Sequence, residues 1–138
     1  WSRSTGLLPP CIPQRPGPWW WHGKTVRAAK KAIRDPNVVA VLATGRPAEG
    51  ALPARIRELL SNHGLRFAQA HLKPEASMSS TPWKQSILRQ LLEEYPITEA
   101  EIWEDRHLDA LADHLRERGI PVEGHLVTGA ARQCLQVP

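Results

Sequence analysis

Polar side chains that could bind a phosphate group lie at the end of an apolar stretch of the chain. This run, Val38 to Arg46 or VVAVLATGR, is short, rich in β-branched residues and followed by Pro47, which is typical of a buried strand. It ends in Thr44, Gly45 and Arg46. Because open parallel α/β sheets bind ligands at the carboxyl ends of their strands, we expect these three residues to face a pocket.

Charged residues follow the later predicted strands and begin one of the helices. Lys73 follows the second strand, Lys84 lies at the start of a helix, and Glu104 and Asp105 follow the third strand. Each has an ordinary structural interpretation, such as a solvated lysine or an ion pair between the acids and Arg106. Together they fall at one edge of the sheet, where a hydroxyl and two cations could hold a phosphate while the carboxylates hold Mg²⁺. The set therefore predicts a phosphoryl-transfer site.

Amphipathic helices separate the predicted strands and define the fold class. The helices are predicted over 24–34, 53–63, 83–95 and 107–118, and the strands over 38–46, 65–72, 100–103 and 122–127. Thr81 and Pro82 are the predicted N-cap and first residue of the third helix. Regular alternation of helix and strand predicts a mostly parallel sheet between two helical layers, a Rossmann-like three-layer α/β/α sandwich.

The composition predicts one domain in a chain of 138 residues with a formal net charge of +4. This modest basic excess suits a polyanionic substrate such as nucleic acid or a phosphate ester, and equally an ordinary basic surface. Cys11 and Cys134 belong to no CxxC pair, so two free thiols are expected and structural zinc is not. We find no apolar segment long enough to span a membrane and no signal peptide, and expect a cytoplasmic protein.

The proline content divides the chain into a domain with two flanking segments. Residues 1–18 are predicted to form an irregular proline-rich arm, 19–130 the α/β domain, and 131–138 a loosely held tail. Three adjacent tryptophans, Trp19 to Trp21, cannot all face one way. At least one is expected to pack on the core, and the others either stack on nucleic-acid bases or, as we favour, pack the arm onto the domain.

The segments TGR, LKP, TPWKQSILRQLL and IWEDRHLDAL, in this order, resemble the haloacid dehalogenase (HAD) superfamily. More narrowly, they are similar to its Swiss Army Knife RNA repair-like branch, related to polynucleotide-end phosphatases. The resemblance implies that Thr44 binds the transferred phosphoryl group and that Lys84 stabilises the phosphoaspartyl intermediate. It also implies a Mg²⁺ site at Glu104 and Asp105 with Asp109 as a helper. Gly45, Arg46 and Lys73 would lie near the substrate, a phosphorylated nucleic-acid end or another phosphoester.

The chain departs from this family pattern at its first motif. The superfamily begins with a strand ending in Asp-x-Asp, which supplies the nucleophile and the general acid/base, whereas this chain has no aspartate before Asp35. Ser2 and Ser4 would align with the missing motif. A serine lacks the carboxylate charge that binds magnesium and has a much higher pKa, so it is a poor substitute.

The missing motif also has a structural consequence. The resemblance places the first-motif strand between the strand ending at Thr44 and the strand ending at Glu104. Without it, both neighbours expose backbone donors and acceptors on one edge. Either Trp1 to Leu8 fills this position, or a longer chain supplies the strand, or a partner completes the sheet.

Two functions remain open from the sequence. The first is a Mg²⁺-dependent phosphatase-type domain that acts on phosphorylated RNA ends, inactive or incomplete as given because the nucleophilic aspartate is absent. The second is a non-catalytic module that binds nucleic acid or protein through the tryptophans and the basic segment 24–34. The oligomeric state cannot be predicted from the sequence.

Overall fold

The computed structural model describes residues 21–127, which alternate strictly between helix and strand. The four helices are α1 (Gly23–Arg34), α2 (Leu52–Asn62), α3 (Ser80–Glu94) and α4 (Leu108–Arg116). The four strands are β1 (Val41–Pro47), β2 (Gln69–Lys73), β3 (Ala100–Glu104) and β4 (Val122–Leu126). The alternation confirms the predicted α/β fold class.

The strands form two parallel pairs rather than one continuous sheet. β1 pairs with β2, with Thr44 opposite Leu72, and β3 pairs with β4, with Glu104 opposite Leu126. Within residues 21–127, no strand joins β1 to β3. Each of these two strands therefore has one edge without a strand partner in this part of the chain, at the place where the family resemblance puts a further strand.

A cavity of about 950 Å³ lies between the two pairs. Its lining comes from the amino-terminal half of β1, all of β3, one side of α1 and the apolar face of α3. This position explains why β1 is less buried than an apolar run predicts. Within residues 21–127 the strand has a strand partner on one edge, and of its seven residues only Pro47 is buried.

Helices pack on both faces of the β3–β4 pair. Leu108 of α4 contacts one face, because a Cβ atom added to Gly124 would lie 3.1 Å from the Leu108 Cδ1 atom. Trp103 and His125 point to the other face, since side chains alternate along a strand, and their rings stack with centroids 4.0 Å apart. The first turn of α1 lines a small cavity with these two rings. The predicted layered arrangement is therefore present around this pair.

The apolar faces of α2 and α4 provide much of the buried core. Leu52, Ile56 and Leu59 of α2 form one cluster, against which Trp21 and Leu72 pack. In α4 the buried residues are Leu111, Ala112 and Leu115. These positions recur at the 3.6-residue period from which both helices were predicted.

Three predicted boundaries are wrong. Val38 and Val39 are exposed and precede β1, which begins only at Val41. β2 begins at Gln69, four residues later than predicted. α3 begins at Ser80 after the N-cap Ser79, so the predicted cap Thr81 lies inside the first turn. Pro82 still fits there, because the amide groups of the first helical turn have no intrahelical acceptor.

Several predictions lie outside the described residues. These concern the proline-rich arm, both cysteines, Trp19, Trp20 and the tail. Trp21 is described, and its ring stacks on that of His63 with centroids 4.1 Å apart, so at least one of the three tryptophans packs on the domain. Across residues 21–127, every helix is too short or too polar to cross a membrane.

We predict that Leu52→Ala lowers the free energy of unfolding by about 3 kcal/mol, because Leu52 is 1% exposed and its removal leaves a cavity. Val38→Ala is the matched control. Val38 is 44% exposed, and the expected loss is below about 0.5 kcal/mol. Urea unfolding monitored by circular dichroism measures both values. Equal losses for the two variants would mean that Val38 is as well packed as Leu52, and would contradict the start of β1 at Val41.

Candidate active site

The first turn of α3 meets the carboxyl ends of three strands. Ser80 lies beside Gly45 of β1 and bonds to Lys73 of β2, while Lys84, one turn further along, bonds to Glu104 of β3. The site residues predicted from these strands and this helix are therefore brought to one edge of the fold. This edge is formed although β1 and β3 do not pair with each other.

Lys84 and Glu104 form the shortest ion pair between the described residues. The Lys84 Nζ atom lies 2.8 Å from the Glu104 Oε2 atom, and the two side chains are only 11% and 8% exposed. The other Glu104 oxygen, Oε1, accepts hydrogen bonds from the backbone amides of Asp105 and Arg106. Both oxygens of the buried carboxylate are thus satisfied, as burial of a charge requires.

The two neighbouring carboxyl groups have opposite pKa shifts. Burial disfavours the charged form of Glu104, but its hydrogen bonds with Asp105 and Lys84 and the charge of Lys84 outweigh burial and lower its pKa. For Asp105, burial, a hydrogen bond to Glu104 and the charge of Glu104 all raise the pKa. The negatively charged form is therefore favoured for Glu104 and disfavoured for Asp105.

This pair of carboxylates suits a divalent cation. Mg²⁺ prefers hard oxygen ligands and binds through one or two carboxylates together with substrate phosphate oxygens. The pKa of Asp105 is raised first by partial burial of its carboxyl group, and also by the hydrogen bond and the negative charge of Glu104; a cation at this place would favour the ionised form of Asp105. Asp105 is exposed and forms no ion pair with the Arg106 side chain among the described residues, so it is accessible to a metal ion.

The described contacts at the end of β1 form a tight turn. The Thr44 hydroxyl accepts a hydrogen bond from the backbone amide of Arg46 at 3.2 Å. At Gly45, an added Cβ atom would lie 3.0 Å from the Ser80 Oγ atom. The absence of a side chain at Gly45 therefore permits the close approach of β1 to the start of α3.

Lys73 is buried at the end of β2, with 8% of its surface exposed. Its Nζ atom donates a hydrogen bond to the Ser80 Oγ atom at 3.2 Å, and within residues 21–127 no carboxylate forms an ion pair with it. Its backbone carbonyl accepts from the Ala48 amide at 2.7 Å, which fixes the end of the strand. Among the described residues, the partner of this buried cation is thus the hydroxyl of Ser80.

Asp109 lies apart from these contacts. It is exposed in the first turn of α4 and shares no hydrogen bond or ion pair with Glu104 or Asp105 among the described residues. Its proposed role as a helper ligand stays a prediction.

A second group of possible metal ligands lies on the face of the β3–β4 pair. Single ligand atoms of Glu101, Glu123 and His125 lie within 4.8 Å of one another. The His125 Nε2 atom is 2.9 Å from a Glu101 oxygen, so the contacts are already made within the group. Sequence reasoning missed it because it depends on the strand register, which places Glu101 directly opposite Glu123.

Ser80 is the other residue that sequence reasoning missed. The predicted N-cap, Thr81, leaves Ser80 outside the third helix, whereas Ser80 begins α3 and bonds to Lys73. The available signal was the run Ser79–Ser80–Thr81, which offers three possible helix starts, and only the packing of Gly45 against Ser80 distinguishes them.

Comparison with known families agrees with this geometry. A family model described as HAD domain family 1 in Swiss Army Knife RNA repair proteins matches residues 10–120. The match covers the predicted site residues from Thr44 to Asp109, whereas Glu123 and His125 lie beyond it. No solved structure gives a significant match to the chain.

We predict that Lys84→Met lowers the free energy of unfolding by roughly 3 kcal/mol at pH 7, because the buried Glu104 carboxylate loses its cation. The lowered pKa of Glu104 stabilises the fold above its unfolded value of about 4.3, and this stability is lost as the pH falls through the folded pKa. The difference between wild type and variant should therefore be largest near pH 7 and narrow below about pH 4.

Urea unfolding at a series of pH values measures this difference. Arg55→Met is the control, because Arg55 pairs with the exposed Glu58 at 3.5 Å and should cost below about 1 kcal/mol. A difference between wild type and Lys84→Met that does not change with pH would contradict the assigned partnership.

Proposed function

The chain belongs to the HAD domain family of Swiss Army Knife RNA repair proteins, and from this membership we propose that it binds the phosphorylated end of an RNA strand together with Mg²⁺. The phosphate group lies at the carboxyl edge of the strands. The chemistry that this edge is suited to is hydrolysis of a phosphomonoester. The observation that carries the proposal is the buried Lys84–Glu104 pair beside the carboxylate of Asp105.

Different residues serve the two halves of this site. Glu104 and Asp105 hold the metal ion, which when bound offsets the negative charge of the phosphate oxygens. The Thr44 hydroxyl donates to a phosphate oxygen while it accepts from the Arg46 amide. Lys84 orients Glu104 and provides positive charge beside the phosphate.

The group that attacks the phosphorus atom is not supplied by the motif of this family. The 138 residues contain no Asp-x-Asp sequence. Asp35, the first aspartate, follows α1 at the amino end of β1, on the opposite edge from Thr44, and its side chain accepts from the Asn37 amide. We therefore propose that the chain as given binds the phosphorylated end but does not hydrolyse it efficiently.

A non-catalytic nucleic-acid module is the second candidate, and the basic side of α1 favours it. Lys24, Arg27, Lys31 and Arg34 are exposed along this helix, whose other side lines the cavity between the strand pairs. Such a row of cations suits the phosphate backbone of a nucleic acid, without base recognition. The first candidate predicts that restoring the Asp-x-Asp motif produces phosphate release, whereas the second predicts that it does not.

Phosphate release from a 3′-phosphorylated oligoribonucleotide, with and without Mg²⁺, distinguishes them. The experiment compares the chain as given with a Ser2→Asp, Ser4→Asp variant. We expect no release from the given chain and Mg²⁺-dependent release from the variant. Release by the given chain would overturn our assignment of the missing nucleophile, and silence of both proteins would favour the binding module.

We predict that Asp105→Asn weakens Mg²⁺ binding at least about tenfold, because an amide replaces one of two carboxylate ligands. Without Mg²⁺, the same variant should unfold at a higher temperature than wild type, since it removes repulsion between neighbouring carboxylates. Calorimetric titration and thermal unfolding measure the two effects.

Asp113→Asn is the matched control for this variant. Asp113 is an exposed carboxylate on α4 that pairs with Arg116, away from the strand ends. It should leave Mg²⁺ affinity unchanged. An Asp105→Asn variant that binds Mg²⁺ as tightly as Asp113→Asn would exclude Asp105 as a ligand.

A further inference from the structure

One face of the β3–β4 pair carries a group of side chains that the proposed function does not use. Because side chains alternate along a strand, Glu101 and Trp103 of β3 share this face with Glu123 and His125 of β4. In the parallel register Glu101 lies opposite Glu123, and Trp103 lies opposite His125. Like charges at opposed positions of neighbouring strands are destabilising. This arrangement therefore favours a positive charge between the two glutamates.

Among residues 21–127, no lysine or arginine forms an ion pair with either glutamate. The contacts of both carboxylates are with the Nε2 atom of His125, at 2.9 Å from Glu101 and 3.6 Å from Glu123. The side of α1 that lines the neighbouring cavity contributes Thr25 and otherwise alanines. Within this part of the chain, the two carboxylates therefore depend on a single imidazole for charge compensation.

The imidazole nitrogen beside the carboxylates is buried and has no hydrogen-bond partner among the described residues. The 2.9 Å contact between the His125 Nε2 atom and Glu101 is therefore short without being a hydrogen bond. Two ligand atoms that each lie about 2.1 Å from one ion, at an angle of about 90° to 110°, are roughly 3.0 to 3.4 Å apart. The contacts of His125 with the two glutamates, at 2.9 and 3.6 Å, are close to this spacing.

Trp103 holds this group in place. Its Nε1 atom donates a hydrogen bond to the Glu101 Oε1 atom at 3.1 Å, and its ring stacks on that of His125 with an angle of 12° between the planes. Outer contacts of this kind orient metal ligands. His22 lines a small cavity together with His125, and its Nε2 atom is likewise buried with no hydrogen-bond partner among the described residues. A second imidazole thus lies on the His125 side of the group.

We propose that Glu101, Glu123 and His125 bind a divalent transition-metal ion, and that Zn²⁺ is the ion their donor atoms suit best. Zn²⁺ accepts both imidazole nitrogen and carboxylate oxygen, whereas Mg²⁺ selects oxygen ligands. Its two positive charges offset the two opposed carboxylates. Three protein ligands leave one position of a tetrahedral ion for a further ligand.

This site is separate from the proposed Mg²⁺ site and does not rest on the proposed function. Glu101 and Glu104 are three residues apart on β3, about 10 Å along the strand, and their side chains leave opposite faces. The Zn²⁺ site should therefore bind its ion whether or not the chain binds a phosphorylated end.

Calorimetric titration with Zn²⁺ tests the site. The affinity of the wild-type chain for Zn²⁺ should fall at least about tenfold in His125→Gln and in Glu123→Gln, because each variant removes one of three ligands. The Glu123 side chain is 73% exposed, so its replacement should not disturb folding. Asp105→Asn, which disables the proposed Mg²⁺ site, and His114→Gln, which removes a histidine of α4, are the controls and should retain the wild-type affinity.

Thermal unfolding gives a second measurement, because an ion that binds the folded chain raises its unfolding temperature. Zn²⁺ should stabilise wild type, Asp105→Asn and His114→Gln more than it stabilises Glu123→Gln. Without metal, Glu123→Gln should unfold at the wild-type temperature or above it, since the variant relieves the opposed charges. An ion pair that serves the fold alone would instead make this variant unfold at a lower temperature and leave its Zn²⁺ affinity unchanged.

The outcomes decide for or against the site. Loss of Zn²⁺ affinity in both His125→Gln and Glu123→Gln, but in neither control, supports it, even if the repaired chain releases no phosphate. Equal Zn²⁺ affinity of wild type and these two variants overturns it, and so does a loss of affinity in Asp105→Asn alone, which would place the ion at the carboxyl edge instead.

Discussion

The buried ion pair between Lys84 and Glu104 is the interaction on which the described part of the molecule depends most. β1 and β3 form no backbone hydrogen bonds with each other within residues 21–127, so the two strand pairs need another connection at their carboxyl edge. The first two turns of α3 provide it, through Lys84 to Glu104 on one side and through Ser80 to Lys73 on the other. The arrangement of residues at this edge therefore depends on the polar contacts of α3 as well as on the pairing of strands.

The same pair sets the electrostatics of the edge. By holding Glu104 ionised it creates a fixed negative charge, which adds to partial burial in raising the pKa of the adjacent Asp105. Lys73, in contrast to Glu104, is a buried positive charge whose described partner is a hydroxyl group. A metal ion at the acidic end and phosphate oxygens at the basic end would balance both. If these ligands bind as proposed, each would stabilise the fold, because it would offset the cost of a buried or crowded charge.

Sequence patterns were sufficient for the elements and insufficient for their exact limits. The apolar period of α2 and α4 and the alternation of helix and strand predicted the fold, because burial of one helix face leaves a regular pattern. The start of β1 was wrong, because Val38 and Val39 have the composition of a buried strand but lie beside the cavity rather than under a neighbour. Composition cannot report which strand edges are paired.

The same distinction applies to the site, where the positions of residues along the chain could be predicted and the contacts between distant residues could not. The positions of Thr44 and Glu104 near strand ends and of Lys84 near a helix start could be predicted, because turn residues mark strand ends and helix starts. Ser80 was missed because its role depends on the approach of Gly45, a contact between residues 35 positions apart. The group at Glu101, Glu123 and His125 was missed because the register between two strands cannot be deduced from the sequence of either strand alone.

A double-mutant cycle on Lys84 and Glu104 tests the central claim most directly. Urea unfolding of wild type, Lys84→Met, Glu104→Gln and the double variant gives their coupling energy at pH 7. The account predicts a favourable coupling above about 1.5 kcal/mol, because both groups are buried and either one alone is left without its partner. A coupling below about 0.5 kcal/mol, the range of an exposed pair, would contradict it and would leave the carboxyl edge without its proposed connection.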